Sequence, residues 1–91
     1  MKMYLSKEEF EKVEQLAHYA IQARNKKEAE SYIHQLQGLG YGLMGRANNI
    51  FGELICYVIN AAGGVSDKER KVGFVKERLY TLSFYGVKDG I

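Results

Sequence analysis

Apolar and small residues recur at alternating steps of four and three through the middle of the chain. This spacing is a heptad repeat, and it predicts a helical region that turns one continuous apolar seam towards its neighbours. The seam consists of Ala29, Ile33, Leu36, Gly40, Leu43, Ala47, Ile50, Leu54, Tyr57 and Ala61.

Glycines within this region leave two interpretations open. Four glycines between Gly38 and Gly45 would cost a helix about 3–4 kcal/mol relative to alanine, which favours a break near Gly38 to Gly42. The heptad phase nevertheless continues across them, which favours one kinked helix. The second helical region is therefore predicted over about 27–62, either as one rod or as two helices.

Capping motifs mark the helices on either side. Ser6 with Glu9 predicts a helix over about 6–24, and Ser66 with Glu69 predicts one over about 66–85. The residues from Val87 onwards are expected to be a frayed tail. The chain is thus predicted to be one all-α domain over 1–91, a small antiparallel bundle of three long helices, or four if the second breaks at Gly38–Gly42.

Small residues occupy the side of the second region opposite the seam. Their small-x-x-x-small spacing allows helix backbones to approach closely, so we predict an interface there, with a water-facing loop or a ligand groove as alternatives. We call this set the small-residue face: Gly38, Gly42, Gly45, Asn49, Gly52 and Cys56.

Charge is scarce in the same region. Between Gly38 and Gly64 the charged residues are Arg46 and Glu53, and a helix that is apolar almost all round is a buried helix. Because a chain of 91 residues has a modest core of its own, such burial is easiest between subunits. We expect a homodimer or a higher homo-oligomer.

Composition and charge limit the classes of partner and the cellular location that the sequence favours. A net charge of +2 does not by itself argue for nucleic acid, and one cysteine cannot form an internal disulfide. The chain opens without the pattern of a signal peptide, and its uncharged stretches are shorter than a spanning helix needs. The expectation is a cytoplasmic protein without a membrane segment.

Basic residues cluster at the predicted first turn and on the last helix, and several tyrosines lie off the seam. Such side chains can contact phosphates or stack on bases, although the acidic residues among them favour an ordinary solvated face. Tyr41 is a further candidate interface anchor. The possible ligand or phosphate contacts are Arg24, Lys26, Lys27, Tyr19, Tyr32, Lys71 and Arg78.

Two Glu–His pairs, Glu14 with His18 and Glu30 with His34, are weak candidates for a metal site across the first hairpin. The same spacing is common on solvated helix faces, so we expect no metal and no other cofactor.

Catalytic motifs are not evident in the sequence. Cys56 lies among apolar residues and is expected to be buried and inert, and no phosphate-binding loop or nucleophile elbow appears. The chain is therefore expected not to be an enzyme.

The favoured function is that of a non-enzymatic, oligomeric interaction protein that binds another macromolecule, and we expect this partner to be a protein. Its architecture is of the kind found in small bacterial or phage-type inhibitors, immunity proteins and adaptors. Two alternatives stay open: a binder of nucleotide-like ligands at subunit interfaces, and a weak nucleic-acid-binding accessory subunit.

Overall fold

Four α-helices make up most of the part of the chain that the computed structural model describes, residues 1–62 and 68–89. The predicted all-α bundle is confirmed. The predicted capping by Ser66 lies outside the described residues. The helices are α1 (Lys7–Gln22), α2 (Lys26–Gly40), α3 (Gly45–Ala62) and α4 (Lys68–Tyr85).

The start of α1 has the predicted capping box. The backbone N–H of Glu9 donates to the Ser6 hydroxyl at 3.1 Å, and the Ser6 N–H donates to the Glu9 carboxylate at 2.9 Å. Two backbone donors that the helix leaves open are thereby satisfied. At the start of α2, Asn25 accepts from the N–H of Glu28 at 2.9 Å, which fixes the tight turn between the two helices.

The glycine-rich region is two helices, so the interpretation as one kinked rod is wrong. α2 ends at Gly40, and residues 41–44 connect it to α3. Gly42 has φ 87° and Gly45 has φ 66°, both in the left-handed region that other residues rarely adopt. The backbone at Gly42 and Gly45 therefore departs from helical geometry, and the region forms two helices instead of one.

The seam is buried even though it is carried by two helices. Leu36 on α2, Leu43 in the connection and Leu54 on α3 are all inaccessible or nearly so, with exposures of 0%, 6% and 0%. α2 and α3 pack on each other and both pack on α1. The heptad spacing therefore indicates which residues share the core, and it does not indicate that they lie on one continuous helix.

α3 and α4 are antiparallel, and three side-chain contacts fix their register. Arg46 lies over the ring of Tyr85, Glu53 is bonded by Arg78, and Tyr57 stacks on Phe74. The residues of these three pairs are equally spaced along α3 and α4, but in opposite directions along the chain. This helix pair has the most extensive contact in the described structure.

The first five residues form two isolated β-bridges with a bend between them, and they join two distant parts of the chain. Lys2 exchanges backbone hydrogen bonds with residues 42–44, and Leu5 does so with residues 86–88. Val87 and Lys88 are consequently held in place, so the expected frayed tail is wrong for them. No local sequence pattern indicates this pairing, because Lys2 and Leu43, like Leu5 and Val87, lie far apart along the chain. Residues 90 and 91 lie outside the described part.

Most of the apolar perimeter of α3 is buried within a single chain. Phe51 and Val58, which lie off the seam, are 5% and 0% exposed, and Ile55 is half-buried. The shortage of charge on α3 is thus largely accounted for by α1, α2 and α4. Among the helices described, none combines the length and the apolar character needed to cross a membrane.

Candidate interaction surfaces

The small-residue face is distributed over three elements. Gly38 is exposed on α2, and Gly42 lies in the connection between α2 and α3. The other four positions run along one exposed side of α3, because that helix turns Ala47, Leu54 and their neighbours into the core. These four are Gly45, Asn49, Gly52 and Cys56.

A shallow groove runs along this side of α3. It has a volume of about 560 Å³ and is lined by Asn48, Asn49, Gly52, Glu53, Cys56 and Tyr57. A Cβ placed on Gly52 would meet no heavy atom within 4 Å. The Cys56 side chain is exposed, so the expectation of a buried cysteine is wrong. Its heptad position points away from the core, whereas its sequence neighbours point into it.

Arg78 is engaged within the bundle. Its guanidinium donates to the Glu53 carboxylate at 2.6 Å and to the Glu77 carboxylate at 3.1 Å. Partial burial lowers the pKa of Arg78, but the two carboxylates outweigh it and the net direction is upward. This candidate phosphate contact therefore joins α3 to α4, while Lys71 on the same helix is half-buried.

The candidate residues around the first turn remain on the surface. Arg24, Lys26 and Lys27 are exposed at and after the turn between α1 and α2. Tyr19 and Tyr32 face each other across these helices, with ring centroids 5.5 Å apart and an interplanar angle of 45°. The two rings pack on each other, which gives them a structural contact without any ligand.

The two Glu–His pairs belong to different grooves. Glu14 and His18 line a groove between α1 and α4, together with Phe10 and Lys76. Glu30 lines a separate pocket between α2 and α3, and His34 is exposed. Within residues 1–62 and 68–89, no three His, Cys, Asp or Glu side chains come together as metal ligands would. The first pair turns towards α4 rather than across the hairpin, so the four residues do not form one site.

Exposed methionine and aromatic side chains gather at the end of the bundle where the first five residues lie. The pairing of Lys2 with Leu43 places the N-terminal segment beside the α2–α3 connection, and the pairing of Leu5 with Val87 places it beside the end of α4. We call this surface the methionine–aromatic end. It comprises Met1, Met3, Tyr4, Tyr41, Met44, Phe84 and Tyr85.

These side chains are exposed to an unusual degree for their type. Tyr41 is 88% exposed, Phe84 69% and Met3 53%. All three methionines of the chain lie at this end. A monomer gains nothing in core stability from such side chains, and exposed apolar groups that lie together mark interaction sites.

Contacts within the chain fix the positions of several side chains at this surface. The methyl carbon of Met3 would lie 3.0 Å from a Cβ added at Gly45, so Met3 lies against the backbone at the start of α3. Arg46 lies 4.9 Å above the centroid of Tyr85, and Lys88 lies 5.6 Å from that of Tyr4. Two cations are thereby fixed among the exposed rings.

Tyr41 is the one residue of this surface that is predicted from the sequence as an interface anchor. The nearest local signal was the run from Tyr41 to Met44 beside the glycines, where an aromatic and a methionine flank a turn. Assembling the rest needs contacts between residues 2 and 43 and between residues 5 and 87, and no periodicity in the sequence encodes them.

Comparisons of the chain with models of known protein families, with curated proteins and with solved structures found no match.

Proposed function

We propose that this protein is a non-enzymatic interaction protein that binds another protein through the methionine–aromatic end. The observation that carries the proposal is the concentration there of seven exposed large apolar side chains. Exposing them to water is unfavourable, and burying one fully yields about 1.5–3 kcal/mol. A partner that covers this end recovers that free energy.

The chemistry of the surface supports a protein as the partner. Tyrosine, phenylalanine, methionine and arginine are enriched in the centres of protein interfaces, and this end combines all four. Methionine side chains adapt their shape to an apolar partner because they are unbranched and polarisable. No side chain of this end forms a nucleophile–base pair, so the proposal is one of binding rather than catalysis.

The test is site-specific photo-crosslinking in living cells of the source. A benzophenone amino acid replaces Tyr41, and in a control it replaces Tyr19, which is also an exposed aromatic, at 44%, but lies in the last turn of α1, away from this end. We expect one discrete adduct with another protein from position 41 and none from position 19. Absence of an adduct at 41, or the same adducts at both positions, would contradict the proposal.

Self-association through α3 is a second candidate, favoured by the exposed groove along Asn49, Gly52 and Cys56. Small side chains would let α3 of a second copy approach closely. Gly52→Leu fills the groove, whereas Gly73→Leu adds the same bulk on α4, where a Cβ also meets nothing within 4 Å. Sedimentation should show loss of the oligomer with Gly52→Leu only. An unchanged mass, or a monomeric parent protein, would remove this candidate.

A further inference from the structure

We infer that the partner of the methionine–aromatic end is an amphipathic helix whose apolar face is flanked by carboxylates. This inference rests on the proposed function and adds the chemistry of the partner. It follows from two cations that the structure holds among the exposed rings and from the hydrogen bonding of the N-terminal segment.

The two cations are Arg46 and Lys88. Arg46 lies over Tyr85 and Lys88 over Tyr4, so each charge is held beside an exposed ring rather than directed into open water. In the part of the chain that the structure describes, neither forms an ion pair with a carboxylate. Lys2, another cation of this end, is bonded to Glu9. Arg46 and Lys88 are therefore available to a carboxylate that arrives with the partner, where they would orient it.

The backbone at this end favours a helix over an added strand. Lys2 already donates to Gly42 and accepts from Met44, and Leu5 already donates to Gly86 and accepts from Lys88. Strand addition needs a run of extended backbone with unpaired groups, whereas Lys2 and Leu5 are already bonded and residues 3 and 4 between them form a bend. Recognition here depends on side chains, which is how a methionine-rich surface receives the apolar face of a helix.

Charge also argues against two other occupants. Anionic membranes are bound by clusters of four to eight Lys and Arg residues, whereas the basic residues of this end that are unpaired within the described structure, Lys7, Arg46 and Lys88, are interspersed with the acidic residues Glu8 and Asp89. A twofold contact between copies would bring the same cations of both chains to one interface, which like-charge repulsion opposes. Neither the argument against a membrane nor that against a second copy applies to an acidic helix of another protein.

The inference can be tested with designed peptides and the intact protein. Two fluorescent amphipathic peptides share an apolar face of leucine and phenylalanine, and one carries glutamate where the other carries lysine. Fluorescence polarisation measures binding to the parent protein and to the variants Arg46→Gln, Lys88→Gln and Tyr41→Ser. Arg70→Gln is the matched control, because Arg70 also lies over an aromatic ring, that of Phe74, but does so at the start of α4.

We expect the glutamate peptide to bind at least about tenfold more tightly than the lysine peptide, with the preference falling as salt is added. Arg46→Gln and Lys88→Gln should each weaken the glutamate peptide by about threefold to tenfold, and should not weaken the lysine peptide, because they remove a like charge. Tyr41→Ser should weaken both peptides, and Arg70→Gln neither.

Other results would overturn the inference. Equal binding of the two peptides, or binding of neither, contradicts an acidic helix as the partner. Tighter binding to phosphatidylserine vesicles than to either peptide assigns the surface to a membrane, and dimerisation abolished by Tyr41→Ser assigns it to a second copy. The photo-crosslink from position 41 tests the proposed function separately. An adduct with a protein that lacks an acidic helix would support protein binding at this end and would contradict only the inferred chemistry of the partner.

Discussion

The ring of Phe51 on α3 covers the backbone of Gly40 at the end of α2. A Cβ added to Gly40 would lie 2.5 Å from the ring Cδ1 and 2.8 Å from Cζ. Phe51 is only 5% exposed, so its ring is confined by the core around it. The absence of a side chain at Gly40 is what allows α2 and α3 to approach each other where the chain turns between them.

Gly40→Ala should destabilise the protein by about 1–3 kcal/mol, because the added methyl forces a confined ring out of place. Gly38→Ala is the control on the same helix, since a Cβ there meets no heavy atom within 4 Å, and it should stabilise by up to about 1 kcal/mol. Urea unfolding followed by circular dichroism measures both. Equal effects of the two substitutions would show that the Phe51 contact does not constrain position 40.

Gly52→Ala should raise the stability of the isolated chain by about 0.5–1 kcal/mol, because Gly52 lies inside α3 and faces open space. Chemical denaturation at low protein concentration tests this. If the groove on α3 receives a second copy, the same substitution should also weaken association in sedimentation experiments. A lower stability of the dilute protein would contradict an open environment at this position.

Gly42→Ala should cost about 1–2 kcal/mol, because φ at Gly42 is 87° and an alanine there is strained. Crowding is not the cause, since the nearest atom to an added Cβ is the Met1 Cα at 4.0 Å. Gly42→Asn should cost less, because asparagine tolerates the left-handed region better than alanine. A larger loss with asparagine than with alanine would point to crowding instead of strain.

Acid should weaken the start of α1. The side-chain hydrogen bond from Lys2 and the backbone N–H of Ser6 lower the pKa of Glu9. A lowered folded-state pKa means that Glu9 contributes stability above its unfolded pKa, and that this contribution disappears as the pH falls from about 5 to 3. The loss of stability on Glu9→Gln should therefore be largest near neutral pH and vanish in acid. Lys2→Met should reduce this pH dependence, and a constant difference between Glu9→Gln and the parent protein across the range would refute the argument.

The Glu53–Arg78 pair should contribute little to stability. Glu53 is largely exposed, so a double-mutant cycle with Glu53→Gln and Arg78→Gln should give a coupling of about 0.2–1 kcal/mol that falls with added salt. A parallel cycle with Lys76→Gln in place of Arg78→Gln should give none. A coupling above about 2 kcal/mol would mean that the pair is shielded from solvent far more than its exposure indicates.

Local sequence patterns predicted part of the candidate surfaces and missed the rest. The spacing of Asn49, Gly52 and Cys56 placed them on one exposed side of α3, because helical periodicity alone decides which residues share a face. Arg78 was a plausible phosphate contact by the same logic. Its engagement by Glu53 depends on the register of two helices, which periodicity does not specify.

The sequence by itself determined that this chain is helical, that Ser6 starts the first helix and that the seam from Ala29 to Ala61 is buried. Each of these depends on interactions within one or two helical turns, or on the periodicity that divides a helix into apolar and polar sides. Tertiary structure decided that Gly42 and Gly45 break the central region, because the preserved heptad phase and the cost of glycine opposed each other. It also decided where the methionine–aromatic end lies, since pairing Lys2 with Leu43 and Leu5 with Val87 joins segments that only the packed bundle brings together.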